Sequence, residues 1–318
     1  MPAPRQHVEF VSPKELQQNP ENPRLIFREN DLQTLFESIS LQGILVPLTV
    51  FRKSARTLVL LDGERRWRCA IKLGLSRVPV IIQPEPARLQ NIMMMFAIHN
   101  ARRDWDPLPT AYKLRELEDE FEKTQGRKPK EAELAEIASI TRGEVRRLKK
   151  LLNLPSEYQT ELLSELEKPR SEQAITVDQV LEASAGAAAL RKKLIVDETE
   201  EEEVRRAVIN KFRSGVLINT VSPRKLARIA RAVDRDEVTV AIARQAIRRF
   251  VTDKNYTIDE AFNDSAARAE LEHGLQIQVV RLIDNLSEFK NAKHAMGNEL
   301  REKLLELDRI IRALVRRD

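Results

Sequence analysis

The chain has 318 residues, enough for two or three domains, with 32% charged residues and a formal net charge of +5. One cysteine excludes an intrachain disulfide and a cysteine-rich metal site, and no apolar run is long enough to span a bilayer. Only nine glycines, three tyrosines and two tryptophans, beside abundant Leu, Ala, Glu, Arg and Lys, predict a mostly helical protein. The start, Met1-Pro2-Ala3-Pro4-Arg5, has no apolar segment behind a basic end, so no signal peptide is expected and a cytoplasmic location fits.

In chain order, Asn19-Pro20-Glu21-Asn22-Pro23-Arg24 precedes an amphipathic helix predicted over residues 31–42. Leu32, Leu35, Phe36 and Ile39 share its inner face, with Asp31 as the expected N-cap and Gly43 as its end. Gly43-Ile44-Leu45-Val46-Pro47 turns into a strand, and Thr57-Leu58-Val59-Leu60-Leu61 reads as a buried strand. Asp62-Gly63-Glu64-Arg65-Arg66-Trp67-Arg68 then leads into a short helix closed by Gly74. A glycine between strand and helix, with three arginines close behind, suits a phosphate: backbone approach, outward N–H groups and guanidinium forks come together. Val78-Pro79-Val80-Ile81-Ile82 is a further strand, and a polar group, His99-Asn100-Ala101-Arg102-Arg103-Asp104, follows an apolar run.

This order resembles the N-terminal domain of the ParB family, similar in fold to sulfiredoxin. The resemblance is carried by the NPxxPR-like entry at Asn19, the GxxxP step from Gly43 to Pro47, the GERRxR box from Gly63 to Arg68, and a third box at His99 matching the family's ENxQR. It covers roughly residues 8–110 and continues into a helix-turn-helix. It implies a small α/β domain that binds CTP. Gly63, Glu64, Arg65, Arg66 and Arg68 would form the triphosphate box, Gly43 and Pro47 would bound the loop shaping the base pocket, and Asn100 would help hold Mg2+.

The third box departs from the pattern. His99 stands where the family has glutamate, and Arg102 where it has glutamine. Magnesium prefers oxygen ligands, so His99 is a poor substitute and nucleotide binding is a firmer expectation than weak CTPase activity. His99 also reads as a packed histidine, lacking a second ligand at metal spacing. Sulfiredoxin chemistry needs a cysteine in the phosphate turn. Here that place is Glu64, and Cys69 reads as a buried structural thiol. A nuclease would want clustered carboxylates, which the sequence does not display.

Asp106-Pro107-Leu108-Pro109-Thr110 reads as a hinge, because paired prolines oppose helix. Helices are predicted over 111–124, 130–138 and 142–153, with Ser139-Ile140-Thr141 as the turn between the last two. Thr141 and Glu144 fit a capping box. The last of these helices carries Arg142, Arg146, Arg147, Lys149 and Lys150 against one acid, with Val145, Leu148, Leu151 and Leu152 as its inner stripe. Such a pattern serves either a solvated basic helix or a DNA-reading helix. The resemblance favours DNA, and the lack of interleaved aromatics favours double strands over single strands or RNA.

Resemblance fades after about Leu166. Residues 169–176 read as a linker, 177–196 as a helix, and 198–203 as an acidic, solvated helix start. Arg244, Arg248 and Arg249 form a second basic patch that could meet phosphate. Leu275, Val279, Leu282, Leu286 and Phe289, and again Leu304, Leu307, Ile311 and Leu314, repeat at coiled-coil spacing. They suit an intramolecular bundle or a homodimer equally.

The expected fold class is α+β, mostly helical. The expected division is a ParB-like nucleotide-binding domain at 1–107, a helix-turn-helix domain at 108–168, a helical region at 169–255, and a helical, coiled-coil region at 256–318. The expected protein is a CTP-dependent DNA clamp acting in chromosome or plasmid partition, cytoplasmic and associated with nucleoid or plasmid. The alternative is a ParB-derived regulator or adaptor that binds DNA without CTP. The resemblance also admits a partner ATPase, for which Met1 to His7 is undiagnostic, and no membrane partner.

Overall fold

The computed structural model describes residues 7–24, 26–27, 29–100, 106–291 and 296–315, without side chains at 29–31 and 99–100. The N-terminal part is a five-stranded sheet flanked by helices. Its elements are β1 (Val8–Val11), β2 (Leu16–Gln17), α1 (Glu29–Gln42), β3 (Leu48–Ser54), β4 (Thr57–Asp62), α2 (Glu64–Lys72), β5 (Val78–Gln83) and α3 (Arg88–Asn100). The order across the sheet is β1-β5-β3-β4-β2. β3 pairs antiparallel with β4 (Val50 opposite Leu60) and parallel with β5 (Leu48 opposite Val80).

Alternation along β4 divides the core between two faces. Leu58 and Leu60 pack with Leu16, Leu48, Val50, Ala70, Val78 and Val80 on the α2 side. Val59 and Leu61 pack with Phe51 and with Met95 of α3 on the other. α1 begins at Glu29, two residues before the expected cap, so Asp31 sits inside the first turn; Ile39 is its one fully buried residue among those on the predicted face.

α3 joins the two halves of the molecule. Met95 faces the sheet, while Ile92 and Phe96, four apart on another face, enter the helical core. That core runs through α4 (Pro107–Gln125), α5 (Glu131–Ile137), α6 (Arg142–Leu152), α7 (Ser156–Glu167), α8 (Val177–Lys192), α9 (Glu198–Arg213), α10 (Arg224–Asp234), α11 (Val240–Thr252) and α12 (Ile258–Asn263). α13 (Ala267–Asn291) and α14 (Asn298–Val315) complete the described chain.

Two local readings change. The proline pair does not make a hinge. Pro107 opens α4, and Leu108, Pro109 and Thr110 are buried in its first turn, where no intrahelical N–H bond is lost. The segment 169–176 is not a loose linker either: Ile175 is buried and the Ala174 N–H donates to Glu165 at 2.7 Å. The acidic run does open α9, capped by Asp197, but Glu201 is buried and paired with Arg191 and Arg205.

Candidate functional site

The β4–α2 turn is built around Gly63. Its φ of 96° lies in the left-handed region, and a Cβ there would overlap Leu48 Cδ2 and stand 3.1 Å from Arg66 Nη2. Glycine therefore lets β4 feed directly into α2 with no side-chain cap. The first-turn N–H groups of α2 have no acceptor within the helix, so they and the positive helix end are available to an anion.

Around this turn the box residues are tied into three neighbouring segments. Glu64 accepts hydrogen bonds from Gln18 Nε2 at 2.7 Å, Asn22 Nδ2 at 2.6 Å and Arg68 Nη2 at 2.8 Å. The Arg68 guanidinium also lies 3.9 Å from the centre of the Phe27 ring, a cation–π distance, with Arg24 at 5.0 Å from the same ring. Arg66 donates from Nη1 to the carbonyls of Val46 and Pro47 and from Nη2 to Asp62 at 2.9 Å. Arg65 is half-buried on the same turn. Burial pushes the Cys69 thiol above its ordinary range, against the opposing pull of Arg65 and Lys72.

The entry loop carries ties in the other direction. Asn19 and Asn91 exchange side-chain hydrogen bonds at 2.8 and 3.1 Å, both buried. Glu21 pairs with Arg88 at 2.9 Å and with Lys113 at 3.3 Å. Thus the loop holding Glu64 is bolted to α3 and α4. Sequence reasoning singled out the loop but not Asn91, Arg88 or Lys113, whose contribution depends on long-range packing that no local motif announces.

The backbone of Asn100 ends α3, while its side chain, that of His99, and residues 101–105 lie outside the described residues. Among the described residues no group of three or more His, Cys, Asp or Glu side chains is placed to hold a metal. Both Glu64 oxygens already accept hydrogen bonds, Oε1 from Gln18 and Oε2 from Asn22.

The second candidate surface is α5–turn–α6. Ser139 takes a positive φ of 54°, the Ile140 N–H donates to Ala135, and Thr141 caps α6 through a complete capping box with Glu144. Val145, Leu148 and Leu151 are buried; Leu152 is half-buried. Of the five cations, Arg146 pairs with Glu131 at 2.8 Å, Arg147 with Asp178 at 2.7 Å and Lys149 with Glu118 at 2.8 Å. Arg142 and Lys150 are exposed. The Arg146 fork holds the Glu131 carboxyl below its ordinary range. Such exposed pairs are weak and exchange readily for phosphate. The second basic patch is more committed: Arg244 donates to the carbonyls of Leu194 and Ile195, and Arg248 to Glu200.

Comparison with known proteins bears on both surfaces. Residues 2–99 match the family model described as the ParB N-terminal domain. Over 155 residues the chain is 36% identical to the chromosome-partitioning protein ParB of Caulobacter vibrioides, covering 47% of each chain. The N-terminal third of this chain matches the ParB family. A second ParB, the probable chromosome-partitioning protein of Xylella fastidiosa, is 32% identical over 199 residues, 62% of each chain. The chain spans about half the length of the curated ParB relatives it matches. A crystal structure of C-terminally truncated ParB from Caulobacter crescentus, complexed to the centromeric parS site, is 25% identical over 70% of this chain and 98% of that one, with a TM-score of 0.43. The likeness to ParB is carried by sequence.

Proposed function

We propose that this chain is a CTP-binding, DNA-binding partition protein. One observation carries the reading: the left-handed Gly63 turn brings the free end of α2 and Arg66 of its box against Val46 and Pro47, in the loop the family resemblance gives to the base. Phosphate would meet the N–H groups of the α2 first turn, with Arg65, Arg66 and Arg68 as the cationic partners. Double-stranded DNA would meet α6 through Arg142, Arg146, Arg147, Lys149 and Lys150. The entry loop, joined to Glu64 at one end and to α3 and α4 at the other, gives nucleotide a physical route to bias the DNA-binding helices, provided the two states bind nucleotide differently.

In this reading the protein acts on chromosome or plasmid DNA in the cytoplasm. α13 and α14 pair two copies: Leu275, Val279, Leu282 and Ile311 are all at least a third exposed within one chain. Sedimentation of the full chain as a monomer at micromolar concentration would contradict that dimer. A second reading, a DNA-binding regulator that does not use CTP, draws on one observation: Arg66 and Arg68 are already neutralised by Asp62 and Glu64. Calorimetric titration with CTP separates the two. Heat of binding selective for CTP supports the first; no heat with any ribonucleotide supports the second.

A further inference from the structure

Among the described residues, three that are not glycine take a positive φ: Ser139 at 54°, Leu194 at 56° and Asp236 at 58°. All three stand just past a helix end. Each is followed by the same closing bond, from an N–H to the carbonyl five residues back: Ile140 to Ala135 at 2.9 Å, Ile195 to Leu190 at 3.1 Å and Glu237 to Ala232 at 3.0 Å. Each next helix is capped by a side chain, Thr141 on α6, Asp197 on α9 and Thr239 on α11. The turn between α5 and α6 thus recurs between α8 and α9 and between α10 and α11, in both cases one residue longer.

Packing and charge separate the copies. At the bonded carbonyl stand Ala135 in α5 and Ala232 in α10, both buried, where a small side chain lets the second helix come close; α8 has Leu190 there. The same position in the second helix, one turn past the cap, holds buried Val145 on α6 and buried Ala243 on α11, but the ion-paired Glu201 on α9. α9 opens with Glu198, Glu200 and Glu201, which repel phosphate. α11 carries three arginines and no acid. It buries Ala243, Ala246, Ile247 and Phe250 and leaves Ala241, Ile242 and Gln245 exposed near its start. Arg244 donates to the carbonyls of Leu194 and Ile195 and so pins the helix in place. One turn beyond Gln245, Arg248 and Arg249 have side chains 67% and 60% exposed, paired with Glu200 at 3.1 Å and Asp264 at 3.5 Å. Exposed arginines in such pairs exchange readily onto phosphate. Beside the turn, Asp234 and Glu237 are balanced by Lys193 and Arg235.

We propose that α10, its turn and α11 form a second helix-turn-helix that meets double-stranded DNA, with α11 as a second reading helix. The choice of partner rests on the DNA-binding function proposed above. Residues near the start of such a helix face base edges in the major groove. There Gln245 offers an adenine a paired donor and acceptor, and Ala241 and Ile242 meet thymine methyl groups. Arg248 and Arg249, a turn later, meet the flanking phosphates and fix the register. Ile242, 47% exposed at a helix start, thereby gains an apolar partner. One chain then holds duplex DNA through two helices, α6 and α11.

The test uses the full chain and its Gln245→Ala, Ile242→Ala and Lys150→Ala variants, all at exposed positions, with unchanged thermal melting as the check on folding. Each protein selects duplexes from a random-sequence double-stranded pool. Wild type should enrich a site with two blocks of preferred bases. Gln245→Ala should lose a preference for adenine in one block and keep the other, and Ile242→Ala should relax a neighbouring position of the same block. On the wild-type site, fluorescence anisotropy should show Gln245→Ala binding about tenfold more weakly, while on a scrambled duplex its affinity changes less than about twofold. Lys150→Ala should weaken both duplexes alike. A folded Gln245→Ala that selects the same site with wild-type affinity overturns the proposal. So does a variant that alters self-association in sedimentation and leaves DNA binding untouched, since α11 then faces protein. A wild-type chain that binds no duplex overturns the DNA reading itself, a result distinct from wild-type binding that Q245A leaves intact.

Discussion

Asn22 and Glu64, 42 positions apart, share a 2.6 Å hydrogen bond that closes the entry loop onto the β4–α2 turn. Gln18 and Arg68 meet the same carboxylate, whose side chain is 9% exposed. Removing it in Glu64→Ala strands three donors, of which the Asn22 amide is buried. The expected cost is about 1–3 kcal/mol in urea denaturation. A loss below about 0.5 kcal/mol would mean that the loop is held elsewhere.

Gly63 and Gly43 both adopt positive φ, at 96° and 70°, but only Gly63 is crowded. Gly43→Ala should cost about 1 kcal/mol, the strain of a left-handed alanine. Gly63→Ala adds the overlap with Leu48 and pressure on Arg66, and should cost at least about 2 kcal/mol and weaken CTP binding. Equal melting temperatures for the two variants would contradict the close approach.

On α6, Lys150→Ala and Arg142→Ala should each weaken DNA binding and reduce the slope of log affinity against log salt by about 1. Glu131→Gln should act oppositely. It removes the negative charge that holds Arg146 at 2.8 Å and so eases that side chain's exchange onto DNA phosphate, raising affinity by about twofold to fivefold. Fluorescence anisotropy across a salt series measures both. An unchanged slope in Lys150→Ala removes that residue from the interface.

Acid should loosen the joint between α7 and α8. The Glu165 carboxyl is held below its ordinary value of 4.5 first by Lys168 Nζ at 2.6 Å and then by the Ala174 N–H at 2.7 Å, against the opposing effect of burial. A lowered folded pKa means that the stabilisation is fully present above pH 4.5 and is lost as pH falls through the lower folded value. Wild type should therefore exceed Glu165→Gln in stability at about pH 6 and converge toward it near about pH 3. A constant difference across that range would show that the carboxylate's charge contributes nothing.

Much of this architecture could be read from local patterns. β4 and α2 were legible because an apolar run gives way to a glycine and then a charged helix, and α6 because Thr141 and Glu144 mark its start. Residues 106–110 were misread because proline opposes helix in general but is tolerated in the first turn. The coiled-coil spacing of Leu275, Val279 and Leu282 was visible, and the exposure of that face within one chain was not, since spacing does not say what covers it. At the site, the arginine box was evident, but the acceptors of Arg66 lie 19 and 20 positions upstream and on the backbone. Carbonyl acceptors leave no mark in a sequence, so the tie from Arg66 to the residue 43–47 loop could not be read there.

The most direct test of the account is calorimetric titration of the full chain with CTP, UTP, ATP and GTP. Saturable binding of CTP at least about tenfold tighter than of the others is expected. A folded protein that binds no nucleotide, or binds all four alike, would contradict it.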